Sequence, residues 1–195
     1  MKKILSFMVF ITLLASGAVA GKYDDIDLSP YEDALNAMKT LEARFVQKSP
    51  NGKKTHGTIY MKRPGKMRIV YDSNKMELVA DGENFVFKDL VLNETSVVPL
   101  DKTPAHVFLK GNINFRKDAL LTGVGQSRDE ISITLRNKKG QNNGAIVLFF
   151  NKKNRKLTSW TIIDTKNKQT SVRLMKTKLN VSVNNALFKV SMPKK

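Results

Sequence analysis

Between Thr58 and Tyr71 the chain alternates apolar and polar residues with a period of two. Ile59 and Met61 stand on one face before Pro64-Gly65, and Met67, Ile69 and Tyr71 resume it afterwards. Strict alternation is the mark of a half-buried strand, and Pro-Gly is a turn, so the stretch predicts a hairpin. Arg63 is the odd member, because the alternation puts it on the face of Ile59 and Met61. A guanidinium cannot lie in an apolar interior without acceptors. The pattern leaves two readings open: Arg63 reaches water at the strand end, or something covers it with acceptors.

The same reasoning extends along the chain. Ser29-Pro30-Tyr31-Glu32 has the form of a helix start, with Ser29 as cap and Pro30 in the first turn. Tyr31, Ala34, Leu35 and Met38 share one face, which predicts an amphipathic helix of about three turns. At Leu41 the period changes to two, through Ala43 and Phe45, up to the turn Ser49-Pro50-Asn51-Gly52. Further strands follow at Met76–Ala80, Asn84–Lys88, Glu94–Val98, Glu130–Arg136, Ala145–Asn151, Leu157–Asp164 and Thr170–Lys178, with Asp81-Gly82 as a strong hairpin turn. Turns between the later strands hold Gly140, Gly144, Asn154 and Asn167. Many short strands at meander spacing predict a mainly β (α+β) chain, one antiparallel sheet curled towards a barrel. Thr103–Leu109 interrupts them as a short apolar helix, with Thr103 as cap, Pro104 first and Gly111 as stop. A second helical piece is expected around Phe115–Leu121. The interruption reads either as a plug for the barrel end or as a lid over the open mouth of the sheet.

The first twenty residues have the form of a secretory signal: Lys2-Lys3, an apolar run through Leu14, and an A-x-A site at Ala18–Ala20. A single exported domain from Gly21 to Lys195 is therefore expected, with the periplasm as its compartment. There is no cysteine, so neither a disulfide nor a lipid-modified N-terminus is expected, and the fold must stand on its core. Charge is strongly positive, 34 Lys+Arg against 17 Asp+Glu. Such a balance favours approach to anionic membrane or acidic partner surfaces. The lysines are spread through the turns, which reads as solvated strand faces and guarded edges.

Candidate chemistry is thin. His56 and His106 have no second histidine at ligand spacing, so no metal or other cofactor is expected. No nucleophile elbow or phosphate loop occurs, which argues against an enzyme, including a hydrolase of envelope lipid. The aromatics Phe45, Phe87, Phe149 and Trp160 sit in core-like strand patterns and not among clustered charge, which argues against nucleic acid.

In this order of elements the chain resembles the LolA family of periplasmic outer-membrane lipoprotein carriers. The landmarks are Phe45-Val46-Gln47, Gly57, Lys62-Arg63-Pro64, Leu78–Gly82 with Phe85-Val86-Phe87, Thr103-Pro104, then Leu157, Trp160, Asp164, Thr170, Phe188 and Pro193. They span most of residues 29–193. The resemblance implies an unclosed half-barrel with a helical lid, sheltering the acyl chains of a lipoprotein in transit. It further implies that Arg63 latches the lid and lets go when lipid arrives. Phe45, Ile59, Met61, Met67, Ile69, Tyr71, Phe87 and Trp160 should line the concave face, under Leu35 and Met38 of the first helix and Val107 and Phe108 of the second. Implied partners are acylated lipoproteins, an inner-membrane ABC exporter and, if present, an outer-membrane acceptor lipoprotein, met by a monomer in transient contact with membrane surfaces. Two features depart from the family: Met67 where an aromatic is common, and a chain ending two residues after Pro193. The alternative is a sensor or scaffold module of the same fold, binding protein segments or envelope polymers.

Overall fold

The computed structural model describes residues 23–73, 75–138 and 144–190. The leader 1–20, Gly140 and Pro193 lie outside them. Eleven strands form one antiparallel sheet. The first run is β1 (Thr40–Lys48), β2 (Lys54–Lys62), β3 (Lys66–Tyr71), β4 (Met76–Asp81), β5 (Asn84–Asp89) and β6 (Glu94–Pro99). The second is β7 (Ala119–Gln126), β8 (Glu130–Asn137), β9 (Ala145–Asn151), β10 (Leu157–Ile163) and β11 (Gln169–Leu179). The strand order is β6-β5-β4-β3-β2-β1-β11-β10-β9-β8-β7. Each run is a meander, and β1–β11 pairing welds the two at mid-sheet. With β6 and β7 left as edges the barrel does not close.

Register turns the alternation into rows. Leu41, Met61, Met67, Ala80 and Phe85 are successive cross-strand partners, and so are Ala43, Ile59, Ile69, Leu78 and Phe87. In a third row Phe45 faces Gly57, which faces Tyr71. Gly57 has no side chain because the Phe45 ring occupies its place. A Cβ there would stand 2.6 Å from that ring and collide with the Val70 carbonyl. The Phe45 and Tyr71 rings meet edge to face, 5.5 Å between centroids. Nearly all these residues are buried in one apolar cluster on the concave side. The convex side carries the charges, such as the Arg68–Glu77 and Arg44–Asp72 ion pairs.

Three short helices sit beside the sheet: α1 (Ser29–Ala37), α2 (Ala105–Leu109) and α3 (Phe115–Asp118). Their starts differ from expectation. Leu28 is the cap position of α1, and Asp27 Oδ1 accepts from the Ser29 amide and hydroxyl instead. Thr103 does not cap α2; its hydroxyl donates to the Leu100 carbonyl, closing a 3₁₀ turn at Leu100–Lys102. α3 is a single turn, and the chain becomes β7 at Ala119. That strand is absent from the sequence reading because Gly123 and Gly125 interrupt its pattern. A closing 3₁₀ turn at Asn185–Phe188 lies on the convex face, where Arg68 donates to the Leu187 carbonyl at 2.9 Å.

Candidate functional site

The concave face is only partly filled. Beneath α2 it leaves a cavity of about 580 Å³ walled by Met67, Ile69 and Tyr71 of β3, Leu78 of β4, Phe85 and Phe87 of β5, and Trp160 and Val172 of β10 and β11. Phe108 of α2 forms its roof, 5.3 Å from the Trp160 ring between centroids. The wall is mostly apolar, with Gln47, Lys102, Thr103, Asp164 and Thr170 as polar lining. Tyr71 sits where the two characters meet. Its ring is buried, its hydroxyl donates to Gln47 Oε1 at 2.8 Å, and burial pushes its pKa up.

Six of the sequence-predicted site residues meet at this cavity: Met67, Ile69, Tyr71, Phe87, Trp160 and Phe108. Phe87 ends its row beside Ser96 of β6 and is 37% exposed, so it forms rim more than floor. Phe45, Ile59, Met61 and Val107 are fully packed and do not line it. Leu35 and Met38 line a separate hollow of about 390 Å³, between α1 and the strands holding Phe150, Leu157 and Leu174. Sequence reasoning did not assign Leu78 and Phe85 to the lining, although both stand in predicted strands. Ile146, Ile162 and Val172 also belong to the lining, and no local signal assigns them, because β9–β11 face the first run only through the curl of the sheet.

Arg63 is buried, 6% exposed, which removes the water-facing reading. One of its guanidinium nitrogens, Nη1, donates to the Leu35 carbonyl and, at 3.5 Å, approaches that of Met38. These are carbonyls at the C-terminal end of α1, where the helix dipole is negative and a cation is favoured. Nε and Nη2 find no acceptor among the described residues. Burial accordingly lowers the pKa of Arg63 to about 10, still protonated at neutral pH. Next to it, the Gly65 amide donates to the Leu109 carbonyl at 2.8 Å, which ties the end of α2 to the same hairpin turn.

α1 is also tied to the segment between α2 and α3 and to the first residue of α3. Asn36 of α1 donates to the Ile113 carbonyl and accepts from its amide. Glu32 Oε1 accepts from the Phe115 amide and Oε2 from Asn114 Nδ2. Helical spacing assigns neither residue this partner, since it says nothing about a segment 77 residues away. Among the described residues no group of three or more His, Asp or Glu is placed to hold a metal.

An open antiparallel half-barrel with a helix-covered apolar hollow on its concave face defines the class of fold. The chain belongs to the LolA family; the model of that family, outer membrane lipoprotein carrier protein LolA, matches residues 36–191. The outer-membrane lipoprotein carrier protein of Pseudomonas entomophila is 24% identical, over 96% of this chain and 94% of its own. That of Coxiella burnetii is 25% identical, over 95% and 92%. Among solved structures, a domain from Vibrio parahaemolyticus with a proposed outer membrane lipoprotein-sorting role superposes with a TM-score of 0.50 at 7% identity, over 83% of this chain and 97% of its own, and shows the fold alone. The carrier proteins of this family are non-enzymatic, and the chain is not an enzyme.

Proposed function

We propose that the protein is a periplasmic lipoprotein carrier: it takes acylated lipoproteins from an inner-membrane ABC exporter and delivers them to an outer-membrane acceptor lipoprotein, acting as a monomer. The observation that carries this reading is the apolar cavity beneath α2, in a chain of the carrier family. Acyl chains need a dry concave surface, and onward transfer needs that surface to hold them weakly. Met67 and Met76 suit this, since unbranched thioethers adapt to variable shapes. A preformed hollow of this size accepts the first part of a ligand, and the rest is accommodated by moving the cover.

Arg63 gives the cover its bistability. Closed, α1 gains two hydrogen-bond contacts and apolar packing, while the guanidinium loses hydration and leaves two nitrogen atoms without acceptors among the described residues. Open, the helix loses its packing and Arg63 regains water. The two terms oppose, so the states lie close enough for ligand to select between them. Because Glu32 and Asn36 hold residues 113–115, α1 and the α2–α3 linker move as one cover.

A release assay tests the function. Inner-membrane vesicles carrying the exporter and a labelled triacylated lipoprotein are incubated with ATP and the purified protein, then separated by size. Label eluting with the protein in a soluble complex is the expected result. Label that stays on the membrane, while a known carrier releases it from the same vesicles, would overturn the reading.

A further inference from the structure

The β5–β6 hairpin ends in three consecutive exposed apolar residues: Leu90 at 54%, Val91 at 66% and Leu92 at 65%. Side chains of this kind normally hide, and three together at a hairpin tip form an apolar prominence that needs a reason. The tip is also held in shape. Asp89 Oδ1 accepts from the Val91 and Leu92 amides at 2.9 Å each, and the Leu90 amide donates to the Lys75 carbonyl at 2.9 Å. Asn93 completes the turn in the left-handed region, φ 53°.

Its surroundings are basic. The antiparallel order puts the β1–β2, β3–β4 and β5–β6 turns at the same end of the sheet. Val91 lines one concavity, of about 560 Å³, with Lys53, Lys54, His56 and Lys75. Lys53, Lys54 and Lys75 are exposed. Of the acids at this rim, Asp72 pairs with Arg44 and Asp89 accepts from the tip amides, while Glu94, opposite Asp89, stands exposed and is outnumbered by the lysines. That concavity shares Gln47, Tyr71 and Met76 with the cavity beneath α2, so tip, lysines and cavity mouth are continuous.

We infer that this rim is a membrane-docking surface: Leu90, Val91 and Leu92 insert into the interface of an anionic bilayer while Lys53, Lys54 and Lys75 contact its headgroups. A short apolar wedge beside a few lysines is the combination that gives weak, reversible binding to such a surface, since neither term suffices alone. Docked this way, the cavity mouth faces the bilayer, so an acyl chain passes between lipid and protein with little exposure to water. The inference deepens the carrier reading and rests on it for its purpose, while the binding itself is independent of cargo.

The test uses a chain beginning at Gly21, which keeps every described residue and removes the apolar leader as a second anchor. It is mixed with protein-free vesicles of phosphatidylglycerol and phosphatidylethanolamine, or of phosphatidylcholine alone, and floated. The protein should float with the anionic vesicles and far less with the zwitterionic ones. Replacing Leu90, Val91 and Leu92 together by Ser should weaken binding by about tenfold or more. Each of Lys53→Gln, Lys54→Gln and Lys75→Gln should weaken it by about fivefold. Because the chain has no cysteine, Val91→Cys carries a single environment-sensitive dye. Its emission should shift blue on vesicle addition, while the dye on Arg128→Cys, in the β7–β8 turn at the other end, should not move. Failure to float, or a serine variant that binds like the parent, would overturn the inference and assign the tip to a protein partner. Uptake of a fluorescent fatty acid by the same variants separates the two readings: a tip variant that loses vesicles and keeps the ligand supports docking, and a parent chain that binds vesicles and takes no ligand would sink the carrier reading alone.

Discussion

At the scale of single residues, Arg63 shows how much a position and its partner each contribute. Alternation placed a guanidinium on an apolar face, and the physical demand for acceptors followed from that alone. Which acceptors could not follow, because the carbonyls of Leu35 and Met38 lie 28 and 25 residues upstream. Replacing Arg63 by Leu removes a desolvated charge and keeps apolar volume, so the empty protein should become more stable by about 1 to 2 kcal/mol in denaturant unfolding. Acyl-ligand uptake should fall in the same variant, since nothing then favours the open cover. A variant that unfolds, or that takes ligand as well as the parent, would make Arg63 a structural residue.

At the scale of elements, the strands other than β7 were legible because most of them have a buried face and a turn at both ends. The covers were less so. α1 and α2 are short, their caps come from Asp27 and a 3₁₀ turn instead of Ser29 and Thr103, and what holds them is long-range. The α2–α3 connection gives one testable case. Asp118 accepts from the Asn114 amide and from Lys110 at the end of α2, and these bonds, the backbone one foremost, hold its pKa below the ordinary 3.8. A lowered folded-state value means that the stabilisation is present above the unfolded pKa and is lost as pH falls through the folded one. Asp118→Asn should therefore be less stable than the parent at neutral pH, and the gap should close under acid. Urea unfolding across a pH series reads this directly, and a gap that does not change with pH would refute it.

For the molecule as a whole, the cavity is a product of curl. Rows from β1–β5 and from β9–β11 form two walls, and α2 closes the space between them. Trp160 stands in the second wall and is the sole tryptophan, so its emission reports on the cavity alone. Acyl ligand should displace polar surroundings from the ring and shift emission to the blue. An unchanged spectrum with ligand demonstrably bound would take Trp160 out of the site. Phe45, Ile59 and Met61, which share a pattern with Met67 and Ile69, are solid core: they stand on β1 and β2 in the middle of the sheet and are fully buried.

Period-two alternation, turn residues and the apolar helix after Thr103 were enough for the class of fold, the concave face and the odd placement of Arg63, because these depend on neighbours within a few residues. Pairing of β1 with β11, the strand at Ala119–Gln126, the split between cavity and core, and the clamp of Glu32 and Asn36 on residues 113–115 belong to the tertiary structure. Each is a contact between segments far apart in the chain, and no local pattern encodes which distant partner will satisfy a buried group.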